Sequence, residues 1–313
     1  MALALGAFFV VIPLAAAADA RHEQVTGLTL AQLRARYTLP DSRFVTLGGL
    51  PIHYVDHGRG PVVILLHGSF LDLTSWRDWI ADLSRDHRVI AVDRLRYGLT
   101  GLYPGEPVDY EHEQRMIDAL VAYLHLHRFA LVGTSSGAIV AAQYADRHPD
   151  QVPRLILMNF PLGHRFIHNS SGAPRVNLGP VEETRALLAN NLVDQSVITP
   201  ALVERLTALD DRADPTGDIA QAFARAAAFT EPERAAMFAR LRMPVLVMWS
   251  GENHTVDVDA GRAAFAAIGS PDKSFVIVPR AGHMMPLEKG RESVLIARRF
   301  LDQRRQPAAA TGE

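Results

Sequence analysis

Five residues, Gly133-Thr134-Ser135-Ser136-Gly137, have the types and spacing for nucleophilic chemistry. A serine with glycine two places away on each side can be held on a tight turn between a strand and a helix, its hydroxyl exposed. The flanking sequence supplies both elements, an apolar Phe129–Val132 before the motif and an Ala-rich Ala138–Ala145 after it. Small neighbours are needed because the helix passes close to the strand. The helix N-terminus then aims its dipole and free N–H groups at the reacting centre. A Gly/Ser turn without chemistry would need none of this context, so Ser135 reads as a positioned nucleophile.

Two further segments place hydrogen-bonding or proton-transferring groups at strand ends. His67-Gly68-Ser69 closes the apolar run Pro61–Leu66. Ala281-Gly282-His283 follows the run Ser274–Val278 and precedes Met284-Met285-Pro286-Leu287-Glu288. With the Ser135 motif, these segments resemble the α/β-hydrolase superfamily over roughly residues 43–303. The resemblance implies that Ser69, after His-Gly, and Ser136, after the nucleophile, each donate a backbone N–H to an oxyanion, worth roughly 3–4 kcal/mol per donor. It implies that His283 takes the proton from Ser135 and returns it to the leaving group. It gives His67 a loop-shaping role only. The other histidines singled out, His112, His125, His127, His164 and His168, have no comparable context and are expected at the surface or at helix caps.

The resemblance also implies an acid, and here the chain departs from the pattern. Relatives usually read W-G-x-x-D-x-x-V-P, whereas this chain reads Trp249-Ser250-Gly251-Glu252-Asn253-His254-Thr255-Val256-Asp257. Aligned on Trp249 and Val256, Asn253 stands where the acid is expected. Relatives that use the end of the preceding core strand would place it at Asn159, again an amide. Exchanging Asp for Asn in a serine triad costs about 10⁴ in turnover by fixing the wrong histidine tautomer, or about 5.5 kcal/mol. Three readings stay open: Asn253 acts in place, Asp257 or Glu252 on the same loop substitutes, or the site is degenerate. A milder departure lies in Asp93-Arg94-Leu95-Arg96-Tyr97-Gly98-Leu99-Thr100-Gly101, where the family pattern D-x-P-G-x-G has Leu95 for Pro and Arg96 for Gly. This is expected to alter the loop at the pocket rim and leave the chemistry alone.

A serine nucleophile argues against haloalkane dehalogenases and epoxide hydrolases of this superfamily, which need an aspartate there. The remaining chemistry is acyl transfer to water from esters, thioesters, lactones or amides, or C–C cleavage of diketones. The expected activity is hydrolysis of an ester-type substrate through an acyl-enzyme. The alternative is a ligand-binding protein on the same fold with little or no turnover. No cofactor or metal is expected, since an H-E-x-x-H pattern is absent and Gly58-Arg59-Gly60 lacks a third glycine at Val63. The expected partner is a small, partly apolar molecule, with Phe70, Leu71, Phe166 and Met284 as candidate pocket residues beside Phe229 and Met237.

The elements that must position these groups follow from hydrophobic patterning. Unbroken apolar runs at Pro61–Leu66, Arg88–Asp93, Phe129–Val132, Leu155–Met158 and Pro244–Trp249 predict strands buried on both faces, as in a parallel sheet. Arg43–Leu47 and Pro51–Val55 predict two shorter strands about a Gly48-Gly49 turn. Helices are predicted near 28–37, 76–83, 116–124, 138–145, 260–267 and 291–301. Residues 162–240 carry no convincing strand but hold helix starts at Thr199-Pro200 and at the capping box Thr230-Glu231-Pro232-Glu233. The expected fold is α/β, a doubly wound, mostly parallel sheet with a helical cap. Its expected organisation is a core at 38–161 and 241–304, a cap at 162–240 and a disordered tail at 305–313.

Bulk properties narrow the partners and the setting. A formal net charge of −2 gives no basic field to attract nucleic acid. With no cysteine among 313 residues, disulfides and thiolate chemistry are excluded. The apolar stretch Ala2–Ala18, ending in Ala18-Asp19-Ala20, resembles a signal peptide or single anchor within residues 1–20, although the first basic residue, Arg21, follows it. Export or anchoring is the expectation, with any membrane contact confined to that segment.

Overall fold

The computed structural model describes residues 26–160, 162, 179–212 and 229–303. The segments proposed as signal peptide and tail, and Phe166, His164 and His168, lie outside these. Each unbroken apolar run becomes a central strand: β3 (Val62–Leu66), β4 (Arg88–Val92), β5 (Phe129–Thr134), β6 (Leu155–Met158) and β7 (Val245–Ser250). They pair in parallel, with β8 (Lys273–Val278) continuing beyond β7. The hairpin β1 (Arg43–Leu47) and β2 (Leu50–His57) adds two antiparallel strands at the other edge, giving the order β1-β2-β4-β3-β5-β6-β7-β8.

Alternation along β3 explains the two core layers. Ile64 and Leu66 face α3 (Tyr110–Tyr123), α4 (Ser136–Arg147) and α7 (Glu231–Arg240), packing with Met116, Ile139 and Phe238. Val63 and Leu65 face α2 (Arg77–Leu83) and α10 (Gly290–Leu301), packing with Trp79, Leu83 and Val294. The chain leaves β3 towards β4 on one side and returns to β5 on the other. That reversal opens a crevice at the carboxyl ends of β3 and β5, where ligands bind in open α/β sheets.

Helix α3 starts six positions before the apolar periodicity predicts. The Asp109 carboxylate accepts the His112 N–H at 3.0 Å and caps a polar first turn that a hydrophobic pattern does not register. Between 162 and 240 the described residues form helices α5 (Pro180–Asn191), α6 (Pro200–Asp210) and α7, with no strand among them. Thr199 caps α6, and Thr230 with Glu233 forms the expected box on α7. Helices α5 and α6 bury Leu188, Val203 and Leu206 in an apolar cluster that also takes in Leu33 of α1 (Leu30–Tyr37) and Leu71, Leu99 and Met284 of the core. Among the described residues no helix is long and apolar enough to cross a membrane.

Candidate active site

Ser135 sits on the turn from β5 to α4 with φ 54° and ψ −127°. Such a conformation costs a residue other than glycine on the order of 1–3 kcal/mol and persists only where its surroundings dictate it. They do: the Ser135 N–H donates to the Met158 carbonyl at 2.8 Å. A Cβ on Gly133 would lie 2.3 Å from the Gly137 carbonyl oxygen, and one on Gly137 would lie 2.3 Å from that of His67. Both glycines of the motif are therefore required by close backbone approach. The turn directs the Ser135 hydroxyl towards His283.

His283 reaches this hydroxyl from the loop between β8 and the short helix α9 (Met285–Glu288), with Nε2 at 2.9 Å from Ser135 Oγ. Its loop is held from several sides. The Glu288 carboxylate accepts the Gly282 N–H at 2.7 Å, and the Asn159 side-chain amide donates to the His283 carbonyl at 2.9 Å. The Asn191 carbonyl, at the end of α5, accepts the Met284 N–H at 3.3 Å. The ring is buried, and desolvation pushes its pKa down from 6.5 to about 4. The imidazole is therefore neutral near pH 7.

The other ring nitrogen, Nδ1, lies 3.2 Å from Asn253 Oδ1. The same oxygen accepts the backbone N–H groups of Thr255 and Val256, each at 3.1 Å. Only a carbonyl oxygen can accept two N–H donors, so the amide orientation is fixed by the backbone. His283 must then carry its proton on Nδ1, which leaves Nε2 as a bare lone pair facing Ser135. The Asn253 Nδ2 group is buried without a hydrogen-bond partner. Asp257 is exposed and caps α8 (Val258–Ala267), accepting the Ala260 N–H at 2.7 Å; Glu252 is exposed. The residue against the ring is thus Asn253, not either carboxylate of that loop. Asn159 touches the backbone of the His283 loop.

His67 is fully buried, with Nδ1 donating to the Gly68 carbonyl at 2.7 Å and Nε2 accepting the Arg94 N–H at 3.0 Å. Burial lowers its pKa to about 4. With both nitrogens committed, it shapes the loop and has no lone pair left for proton transfer. The two expected oxyanion-donor residues are neighbours, their hydroxyls 2.9 Å apart between Ser69 and Ser136. Patterning alone missed Arg94, whose guanidinium donates to Ser136 Oγ at 2.7 Å. One signal was available: its partner Glu113 falls on the apolar face of α3 with Met116, Ile117 and Leu120, where a carboxylate needs a buried cation.

Of the candidate pocket residues, Leu71 and Met284 pack in the cluster under α5 and α6, and Phe70 is half-buried with φ 62°. Met237 belongs to the main core, and Phe229 packs edge-on against Tyr110. A cavity of about 460 Å³ is lined by Phe229, Tyr110, Met237 and charged residues of α3, α4 and α7; neither Ser135 nor His283 lines it.

The chain has relatives among known proteins. Residues 61–290 match the family model of the alpha/beta hydrolase fold. The chain belongs to that family. A 2-hydroxy-6-oxo-2,4-heptadienoate hydrolase of Pseudomonas putida is 37% identical over 123 residues, which make up 37% of this chain and 43% of that protein. The match thus spans less than half of that relative's length. A 2-hydroxy-6-oxo-6-(2'-aminophenyl)hexa-2,4-dienoic acid hydrolase of Metapseudomonas resinovorans is 27% identical over 281 residues, covering 84% of this chain and 91% of that one. The solved structure of a thermophilic esterase from Thermogutta terrifontis aligns with a TM-score of 0.67 at 23% identity, over 83% of this chain and 98% of that one. At that identity the likeness is one of fold.

Proposed function

We propose that this chain is a serine hydrolase acting on a carboxylic ester, thioester or lactone through an acyl-enzyme. Ser135 is the nucleophile, His283 the base, and Asn253 the residue that orients the base. One observation carries the reading: Ser135 Oγ lies 2.9 Å from the ring nitrogen of His283 that bears the lone pair. In the first half-reaction the Ser135 proton passes to His283 Nε2 as Oγ bonds the substrate carbonyl carbon. The backbone N–H groups of Ser69 and Ser136 receive the oxyanion. The tetrahedral adduct collapses, His283 Nε2 returns the proton to the departing alkoxide or thiolate, and the acyl group stays on Ser135. In the second half-reaction water gives a proton to His283 Nε2 as its oxygen attacks the acyl carbon; the adduct collapses, His283 passes that proton to the departing Ser135 Oγ, and the acid is released. In this reading helices α5 and α6 cap the site, and residues 1–20 serve as an export signal or anchor.

A second reading, ligand binding with little turnover, is favoured by Asn253 itself, which brings no charge to the imidazolium and leaves Nδ2 unpartnered. Turnover of p-nitrophenyl acetate and butyrate separates the two. The hydrolase reading requires the wild type to exceed Ser135→Ala by orders of magnitude; equality would leave the binding reading. A parallel assay with a 2-hydroxy-6-oxo-dienoate, the kind of compound named for two relatives, tests whether this chain takes such compounds.

A further inference from the structure

A buried ion pair lies behind the elbow, outside the proton-transfer chain. Arg94 is 2% exposed and holds Glu113 by two bonds, Nε to Oε2 at 2.7 Å and Nη2 to Oε1 at 2.5 Å. Replacing a buried pair with well-packed apolar side chains is often neutral or stabilising, so stability alone is a weak reason for it to be there. The remaining nitrogen, Nη1, donates to Ser136 Oγ at 2.7 Å and to the His67 carbonyl at 2.9 Å. Those two partners belong to the two segments expected to carry the oxyanion donors. The segments approach closely at Gly68 and Gly137, since a Cβ on Gly68 would come to 3.0 Å of the Ser135 Cβ and one on Gly137 would overlap the His67 carbonyl. Those contacts, Gly68 on the Ser135 Cβ and Gly137 on the His67 carbonyl, set how near the segments come, and the single hydroxyl pair Ser69 to Ser136 at 2.9 Å leaves their rotation free. A charged, planar donor gripping both fixes that.

We infer that Arg94 is a positioning residue for the oxyanion donors, holding the Ser69 and Ser136 segments in register from behind, with Glu113 fixing the guanidinium. Arg94 reaches the reaction only through Ser136 and His67. The inference rests on the serine-hydrolase reading above. Because the donors act on charge that develops in the transition state, loss of register lowers turnover and leaves substrate binding nearly alone.

The test compares wild type, Ser136→Ala, Arg94→Lys and the paired Arg94→Met/Glu113→Leu. Active sites are titrated with an organophosphate, and thermal unfolding is recorded alongside. Three quantities are read with p-nitrophenyl butyrate: kcat per titrated site, KM, and inhibition by butylboronic acid, whose serine adduct presents an oxygen to the same donors. The expected result is a fall in kcat on the order of tenfold to a hundredfold, with KM within about twofold and the boronate weakened in proportion. A purely structural role would lower the unfolding midpoint and the titrated fraction while leaving kcat per site and boronate affinity as in wild type; that result overturns the inference. Ser136→Ala keeps the backbone N–H and removes the hydroxyl that bonds both Arg94 and Ser69, so an unchanged kcat in this variant overturns the inference even where the Arg94 variants fail to fold. If wild type is no faster than Ser135→Ala, the hydrolase reading falls and this one with it. An active wild type beside variants of unchanged kcat sinks the positioning role alone.

Discussion

An acid in a serine triad does two things: it holds the histidine in the right tautomer, and it stabilises the imidazolium by charge. Asn253 is equipped for the first, because the Thr255 and Val256 N–H groups occupy its oxygen and turn that oxygen to His283 Nδ1. The usual penalty for an amide, a ring locked with its proton facing the serine, is thereby avoided. The charge is still missing. A charge-assisted hydrogen bond is roughly twice as strong as a neutral one, so Asn253→Asp is expected to raise kcat about tenfold, or about 1.4 kcal/mol. A carboxylate beside the ring also raises its pKa. The acid limb of kcat/KM, near pH 4 in the wild type from the buried His283, is expected to move up towards 6.5 in the variant. A pH profile of both proteins checks this. A gain near 10⁴ would mean that the amide had been presenting its NH₂ group to the ring, and no gain with an unmoved limb would remove Asn253 from its role.

Among the elements, the turns at strand ends carry the site, and their tolerance differs residue by residue. Arg96 keeps the left-handed conformation of the glycine it replaces, φ 74°, and its guanidinium reaches Asp210 of α6 at 3.0 Å. In Arg96→Gly, relief of about 1–2 kcal/mol of backbone strain is offset by about 0.5–1 kcal/mol of glycine entropy. Loss of a partly exposed ion pair worth under about 1 kcal/mol completes the balance. The unfolding midpoint is expected to move by no more than about 2–4 °C. In Gly137→Ala the new methyl meets the His67 and Leu66 carbonyls, two pieces of backbone that cannot step aside. A loss of about 3 kcal/mol or more is expected there, seen as a fall in midpoint several times larger than for Arg96→Gly. These contrasts also mark what the sequence makes legible. The central strands announce themselves as unbroken apolar runs, and Ser135 and His283 lie in short local motifs at their ends. What holds them does not: Asn159 meets the His283 carbonyl across 124 positions, and Arg94 meets Ser136 across 42. The choice of Asn253 over Asp257 turned on helix capping, which commits Asp257 to the first turn of α8.

At the scale of the whole molecule, a site built between two core layers makes stability depend on pH. His67 and His283 are both buried and neutral, each with its pKa lowered by desolvation to about 4. In the unfolded chain both return to about 6.5. As pH falls from about 6.5 towards 4, the unfolded chain takes up these protons before the folded one does, so stability is lost through that window and the histidine contribution levels off below it. Asp93 adds a second loss at lower pH. Burial alone would raise its pKa, but the His53 hydrogen bond at 2.6 Å and the Leu99 N–H hold it below the ordinary value. Its stabilisation is present above about 3.9 and disappears as the carboxyl is protonated in the fold. Thermal unfolding from pH 8 to pH 3 is therefore expected to show a midpoint that is flat above about 7, declines most steeply between about 6.5 and 4, where two histidines contribute, and goes on falling more gently below, where Asp93 does. His283→Gln removes one of the two histidine protons and is expected to flatten the slope between 6.5 and 4 while leaving the drop below 4 unchanged. An identical slope in the variant would mean that His283 is accessible to solvent and charged in the folded state, at odds with the neutral base that the Ser135 chemistry requires.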